Sequence, residues 1–236
     1  MADLVGLSGG KDSTAMALRL KELFPEKDFI FFCTPTGDEL PELVDHWTHL
    51  EEILQQELVR VRHKYTLNEL ILEFNALPNW RQRWCTRMLK IETAIAFYRQ
   101  FEDVTAYIGL RADEEERVGG VYGGLINQTY PLREWGWGLK EVTEYLSEKN
   151  IVIPRRTDCA RCYGQRIVDW FRLWKNYPNL YAEAEAQEFM TGFTFRSQGR
   201  DTWPASLTGL RHEFEKGRKI RGADDDDQQV CRVCRI

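Results

Sequence analysis

The sequence contains no apolar run near the ~20 residues needed to cross a membrane. Its first residues, Met1-Ala2-Asp3-Leu4, lack the basic and then apolar blocks of a secretion signal. Both absences point to a soluble, cytoplasmic chain without a membrane partner. Histidine is scarce: His46, His49, His63 and His212 are the only four, and only His46 and His49 share a helical spacing. No Ser-His-Asp order emerges. There is no GxxxxGK[ST] loop, no GxGxxG fingerprint and no internal repeat, and low complexity is confined to Asp224–Asp227. One-sided charge is also lacking. The net charge is −5, but removing the four aspartates of that run takes the 37 acidic residues to 33, against 32 basic ones. Global charge therefore neither favours nor excludes nucleic acid, and what remains is local: Arg81/Arg83/Arg87/Lys90, Arg155/Arg156/Arg161/Arg166 and Arg211 to Arg221.

Aromatic residues make up 12% of the 236 residues, too many for a solvated coil. Short apolar runs alternate with helical stretches. Leu4–Leu7, Phe29–Cys33, Leu58–Val61 and Val104–Gly109 read as strands, and the first two are apolar enough to be buried on both faces. Thr14–Phe24, Leu40–Gln56, Thr66–Phe74, Arg87–Phe101 and Lys140–Lys149 read as helices. Ile151–Ile153, ahead of Pro154, is the last run with strand character. This alternation predicts an α/β fold with a doubly wound, mostly parallel sheet over 1–154, followed by a small helical, Cys-rich subdomain over 155–236. In such sheets ligands bind outside the carboxyl ends of the strands, so those ends are where chemistry is expected.

The first strand runs directly into Ser8-Gly9-Gly10-Lys11-Asp12-Ser13 and then a helix. Two glycines let backbone N–H groups approach an anion, the helix N-terminus adds a partial positive charge, and Lys11 adds a full one. The second strand ends in Thr34-Pro35-Thr36-Gly37-Asp38-Glu39-Leu40-Pro41-Glu42, a turn leading into a helix. Trp84-Cys85-Thr86-Arg87-Met88-Leu89-Lys90 places a thiol beside Arg83, Arg87 and Lys90, where a thiolate is favoured. The fourth strand ends in Gly109-Leu110-Arg111-Ala112-Asp113-Glu114-Glu115-Glu116-Arg117, whose guanidinium forks suit phosphate or sulfate.

SGGKDS after a first strand resembles the PP-loop of the ATP pyrophosphatases, the adenine nucleotide α-hydrolase-like superfamily. Three further elements resemble its branch of phosphoadenylyl-sulfate (PAPS) reductases and the DNA phosphorothioation enzyme DndC: the segment at Thr36–Glu42 (with Pro35 where that branch has an aspartate), the C-T-x-x-L-K at Cys85–Lys90, and the G-x-R-x-x-E-x-x-R at Gly109–Arg117. Tyr130-Pro131-Leu132 with Trp135, Val142 and Leu146 is similar to a stretch that is mostly structural. The resemblance implies ATP as ligand, with Ser8, Gly9, Gly10, Lys11, Asp12, Ser13, Thr36 and Gly37 binding it and Mg²⁺ bridging its phosphates near Asp12. It implies Lys11, Asp12, Cys85, Arg111 and Arg117 as catalytic residues. The implied reaction splits ATP to AMP and pyrophosphate and adenylates an acceptor, DNA or tRNA, for sulfur transfer from a donor protein.

Six cysteines in a reducing compartment are not a disulfide framework. Four form the pairs Cys159/Cys162 and Cys231/Cys234. Two arrangements are open: zinc on those four, or a [4Fe–4S] cluster on Cys85, Cys159, Cys162 and one of the tail cysteines. Relatives that carry clusters support the second. Two alternative functions are carried alongside: thiol-dependent reduction of PAPS or its relative APS, and a non-catalytic nucleotide-binding module. The sequence leaves the oligomeric state open.

Overall fold

The computed structural model describes residues 2–117 and 126–222. Five strands form one sheet in the order β3-β2-β1-β4-β5, and every neighbouring pair is parallel. They are β1 (Ala2–Gly6), β2 (Phe29–Cys33), β3 (Val59–Arg60), β4 (Val104–Tyr107) and β5 (Asn127–Thr129). The chain winds outward through β2 and β3, then returns across β1 to place β4 on its other side. That reversal puts a crevice at the carboxyl ends of β1 and β4.

Strand alternation sorts the two faces. Val5, Phe29 and Phe31 pack against α1 (Lys11–Leu23), α2 (Pro41–Leu54) and, through Leu132, Val142 and Leu146, the helices over Pro131–Glu134 and Leu139–Glu148. Leu4, Phe32, Val104 and Ala106 point the other way, onto Ala94, Phe97 and Tyr98. Both faces are thus covered, which explains why these strands read as unbroken apolar runs.

Three departures from the sequence reading have physical reasons. The fifth strand is Asn127–Thr129, polar and held by backbone pairing to β4, so it carries no apolar signal. Ile151–Ile153 lies outside any strand; Ile151 and Ile153 instead pack onto the first core. The predicted helix over 87–101 begins earlier, at Trp84, and its Arg87–Glu92 stretch is π-helical, with the Thr93 hydroxyl donating to the Met88 carbonyl at 2.9 Å.

The C-terminal helices Ile167–Asn176, Pro178–Thr191 and Leu207–Glu215 bury Trp170, Leu173, Tyr181 and Leu210 in a separate cluster. This cluster also takes Leu67, Leu70 and Ile71 from α3 (Leu67–Phe74), together with Trp84 and Leu89. Helical layer and sheet are therefore interlocked in sequence. No described helix is long and apolar enough to cross a membrane.

Candidate active site at the sheet crevice

The Ser8–Ser13 loop is built by its own side chains. The Ser13 hydroxyl donates to the Gly10 carbonyl at 3.0 Å and lies 3.0 Å from the Ser8 hydroxyl, which accepts from the Gly10 N–H at 3.4 Å. Gly9 sits at φ +86°, and a Cβ there would come within 2.8 Å of Leu43 Cδ1 and Trp47 Nε1. Trp47 clamps the loop from α2, its indole N–H donating to the Ser8 carbonyl at 3.0 Å. Gly109, just past β4, closes the crevice from the far side. A Cβ on it would stand 3.1 Å from the Ser13 backbone, tighter than an ordinary contact, so glycine lets the β4 end lie against the start of α1 without displacing it.

The loop opens on a cavity of about 270 Å³. Its apolar part is lined by Phe32, Ile91, Ala94, Tyr98 and Leu110, and its polar part by Lys11, Lys90 and Arg117 with Asp12, Glu39 and Asp158. All three carboxylates are already turned to protein donors, Asp12 to the buried Arg111. Glu39 accepts from the backbone N–H and hydroxyl of Thr36, both at 2.6 Å, and from the Gly37 N–H at 3.0 Å. Asp158 accepts from Arg156 at 3.0 Å. Of the cations, Arg117 is paired with Glu114 at 2.8 Å and Lys11 lies 3.7 Å from Asp12, so the polar part sets three basic side chains among carboxylates, beside an apolar part.

The sequence-predicted residues are distributed unevenly around this cavity. Ser8, Gly10, Lys11, Asp12, Ser13 and Arg117 line it, whereas Gly9, Thr36, Gly37, Cys85 and Arg111 do not. Thr36 and Gly37 wrap the Glu39 carboxylate instead. Arg111 is buried and holds both Asp12 oxygens at 2.9 and 3.1 Å and Asp113 at 2.8 Å, with Glu114 at 3.7 Å. Burial alone would lower its pKa; the Asp12 and Asp113 carboxylates more than offset this and hold it above the ordinary value. Its fork is thus committed to protein carboxylates. Asp12, with both oxygens on Arg111 and Lys11 at 3.7 Å, is likewise turned to protein cations and not presented as a Mg²⁺ ligand.

The loop carrying Arg117 is held by a residue with no motif, Arg133. Its guanidinium donates to the carbonyls of Glu114 and Arg117, both at 2.6 Å, and to that of Arg111 at 3.3 Å. Asp38 and Arg161 were equally invisible in the sequence. They form a fully buried ion pair, and the Arg161 N–H also donates to Asp38 at 2.9 Å. This pair, with the Glu39–Cys159 bridge, pins the Cys159/Cys162 loop against the end of β2. Arg156 fills that loop's centre, bonded to the Cys159 carbonyl at 2.6 Å and the Gln165 side chain at 3.1 Å.

Cys159 lines the cavity, its sulfur 3.2 Å from the Thr36 hydroxyl, and burial pushes its thiol pKa up. Cys33, also on the lining, is pushed up to about 12 by burial. Cys85 and Cys159 pack with Cys162 around Tyr163. Three thiols are a soft donor set of the kind zinc or an iron–sulfur cluster uses. Among the described residues, however, no three His, Cys, Asp or Glu side chains stand in a metal-holding arrangement, and Cys231 and Cys234 lie outside those residues.

A parallel α/β sheet with a glycine-rich loop at its topological switch point belongs to the open α/β class in which ligands bind at the carboxyl ends of the strands. The chain belongs to the phosphoadenosine phosphosulfate reductase domain family, whose model matches residues 4–155, and so to the PP-loop, adenine nucleotide α-hydrolase-like superfamily. Among solved structures it is similar to phosphoadenylyl-sulfate (PAPS) reductase from Candida auris in its phosphate complex. That match has a TM-score of 0.52 and 16% identity, covering 65% of this chain and 75% of that one. No curated protein matches the chain.

Proposed function

We propose that this chain binds ATP in the crevice and cleaves it between the α- and β-phosphates, adenylating an acceptor in a sulfur-transfer reaction. The observation that carries this reading is the intact Ser8–Ser13 loop facing one cavity with Lys11, Lys90 and Arg117. Three cations around a helix N-terminus suit a triphosphate, whose negative charge is spread over all three groups. The adenine packs against Phe32, Ile91, Ala94 and Tyr98, and the β- and γ-phosphates lie on the Gly9–Lys11 backbone. Lys11 stabilises charge developing on the pyrophosphate leaving group, and Arg117 holds the α-phosphate. Arg111 acts indirectly, splinting Asp12 and the start of α1 to the Gly109–Arg117 loop. In this reading Cys159, Cys162 and Cys85 would be the thiols that hold a metal, which would supply sulfur or redox chemistry.

A second reading, reduction of a sulfonucleotide by a thiol, is favoured by the family and by Cys159 reaching the cavity. Product analysis separates the two. Protein supplied with ATP and acceptor should release pyrophosphate and leave AMP on the acceptor, with free AMP appearing when a sulfide donor displaces it, and should leave PAPS intact in the presence of a dithiol. Conversion of PAPS to sulfite and adenosine 3′,5′-bisphosphate, with ATP untouched, would establish the second reading.

A further inference from the structure

The rim of the cavity on the β3 side carries two exposed aromatic rings on basic loops. Parallel register pairs Cys33 with Arg60, so the chain leaves β3 at the same end of the sheet as the cavity-lining Cys33 and Thr34. The loop that follows is Arg62-His63-Lys64-Tyr65, with no acidic residue. Tyr65 is 42% exposed, with the Lys64 ammonium 4.8 Å from its ring centre. Its loop is fastened to the turn after β2 that also carries the cavity-lining Glu39, since Thr66 packs on Gly37 and the Leu67 N–H donates to the Thr36 carbonyl at 2.8 Å.

Beyond α3 the second loop repeats the pattern. From Asn79 to Ile91 there are four cations, Arg81, Arg83, Arg87 and Lys90, and again no acidic residue. Trp80 is 47% exposed, yet its orientation is fixed by an edge-to-face contact, 5.4 Å, with the buried Tyr163. Tyr163 packs with Cys85, Cys159 and Cys162, and Lys90 lines the cavity, so this loop borders the site directly. The acidic groups near the two loops are few. Glu69 is turned into the Thr66 cap at 2.7 and 2.8 Å, Glu73 is on α3, and Glu92 lies 3.6 Å from Arg87 with both well exposed.

We infer that this rim binds a single nucleic-acid strand, its bases stacking on Trp80 and Tyr65 and its phosphates on Arg62, Lys64, Arg81 and Arg87. Exposed aromatic rings on segments rich in cations are the elements of sequence-tolerant single-strand recognition. An acidic peptide would match the charge, but would leave two flat rings in water. The assignment of this strand as the acceptor rests on the reading proposed above; its binding does not.

The test is fluorescence anisotropy of labelled 20-nucleotide single-stranded DNA and RNA, and of the DNA duplex, against the full chain. Binding of a single strand in preference to the duplex is expected, with affinity falling as salt rises. Trp80→Ala and Tyr65→Ala should each weaken it about fivefold or more. Arg81→Glu with Arg87→Glu, both on exposed side chains, should reduce the salt dependence as well as the affinity. Absence of strand binding at low salt, equal or tighter binding of duplex, or binding indifferent to the ring and charge variants overturns the inference. ATP affinity measured on the same preparations reports the crevice separately, so a lost rim with intact ATP binding sinks only the rim.

Discussion

Single side chains around the crevice divide into those that face a ligand and those that hold the loops. Lys11 faces the cavity, so Lys11→Ala should leave the melting temperature within a few degrees of wild type. It should weaken ATP binding about tenfold or more, the scale of one lost charge-assisted contact, by titration calorimetry. Arg111 and Arg117 should separate cleanly. Arg111→Ala takes the buried guanidinium from Asp12, while Glu114 keeps Arg117 at 2.8 Å and Asp113 is partly solvated, and should cost on the order of 3 kcal/mol of unfolding free energy. Arg117→Ala should change stability little and ATP affinity much. Chemical denaturation beside calorimetry checks both, and the reverse pattern would return the phosphate role to Arg111. At this scale the sequence was most informative where partners are near in the chain. Ser8, Gly10 and Ser13 bond within five residues, and their motif is readable. Arg111 meets Asp12 across 99 positions, Arg161 meets Asp38 across 123, and no local pattern encodes either encounter.

At the scale of elements, legibility followed burial. β1, β2 and β4 announce themselves because both faces of the sheet are covered, while β5 is three polar residues aligned only by its neighbour's backbone. The π-helical stretch before Thr93 was hidden for a different reason: its residues satisfy the helical pattern, and only a hydrogen bond reveals the extra residue in the turn. π-bulges are frequent at functional sites, and here the stretch carries Lys90 and Ile91 to the cavity. Within the C-terminal helices, Glu188 is buried and accepts from the backbone N–H groups of Phe195 and Leu207 at 2.9 and 2.7 Å. Burial outweighs those bonds and raises its pKa to about 7. Because the folded state holds this proton more tightly than the unfolded one, stability is fully present below about pH 4.5. It is lost as pH rises to about 7, by on the order of 3 kcal/mol. Glu188→Gln should flatten that slope in melting curves taken from pH 4.5 to 8. An unchanged slope would mean the carboxylate stays ionised in the fold.

For the molecule as a whole, the sheet supplies the switch point, and the Lys90–Tyr98 helical segment with the Thr157–Cys159 loop supplies the walls that face it. The sequence reading put a boundary near residue 154, yet α3, Trp84 and Leu89 are packed into the cluster of the C-terminal helices. Apolar periodicity shows that a helix has a buried face, but not which layer it is buried in. The consequence is mechanical. The Cys159/Cys162 loop, the Cys85–Lys90 segment and the β2 end meet at one cavity because helices from both halves share a core. Breaking the Asp38–Arg161 pair, by Asp38→Asn, should therefore cost on the order of 3 kcal/mol and also weaken ATP binding, although neither residue lines the cavity.

The account stands on where the nucleotide sits, and photolabelling tests that most directly. The full chain, irradiated with an azido-adenine ATP analogue and digested, should carry label on peptides containing Phe32–Thr34 or Ile91–Tyr98. An excess of ATP should prevent the labelling, and Lys11→Ala should diminish it. Label protected by ATP but placed on the C-terminal helices, or labelling that ATP does not compete away, would contradict a nucleotide site at the sheet crevice.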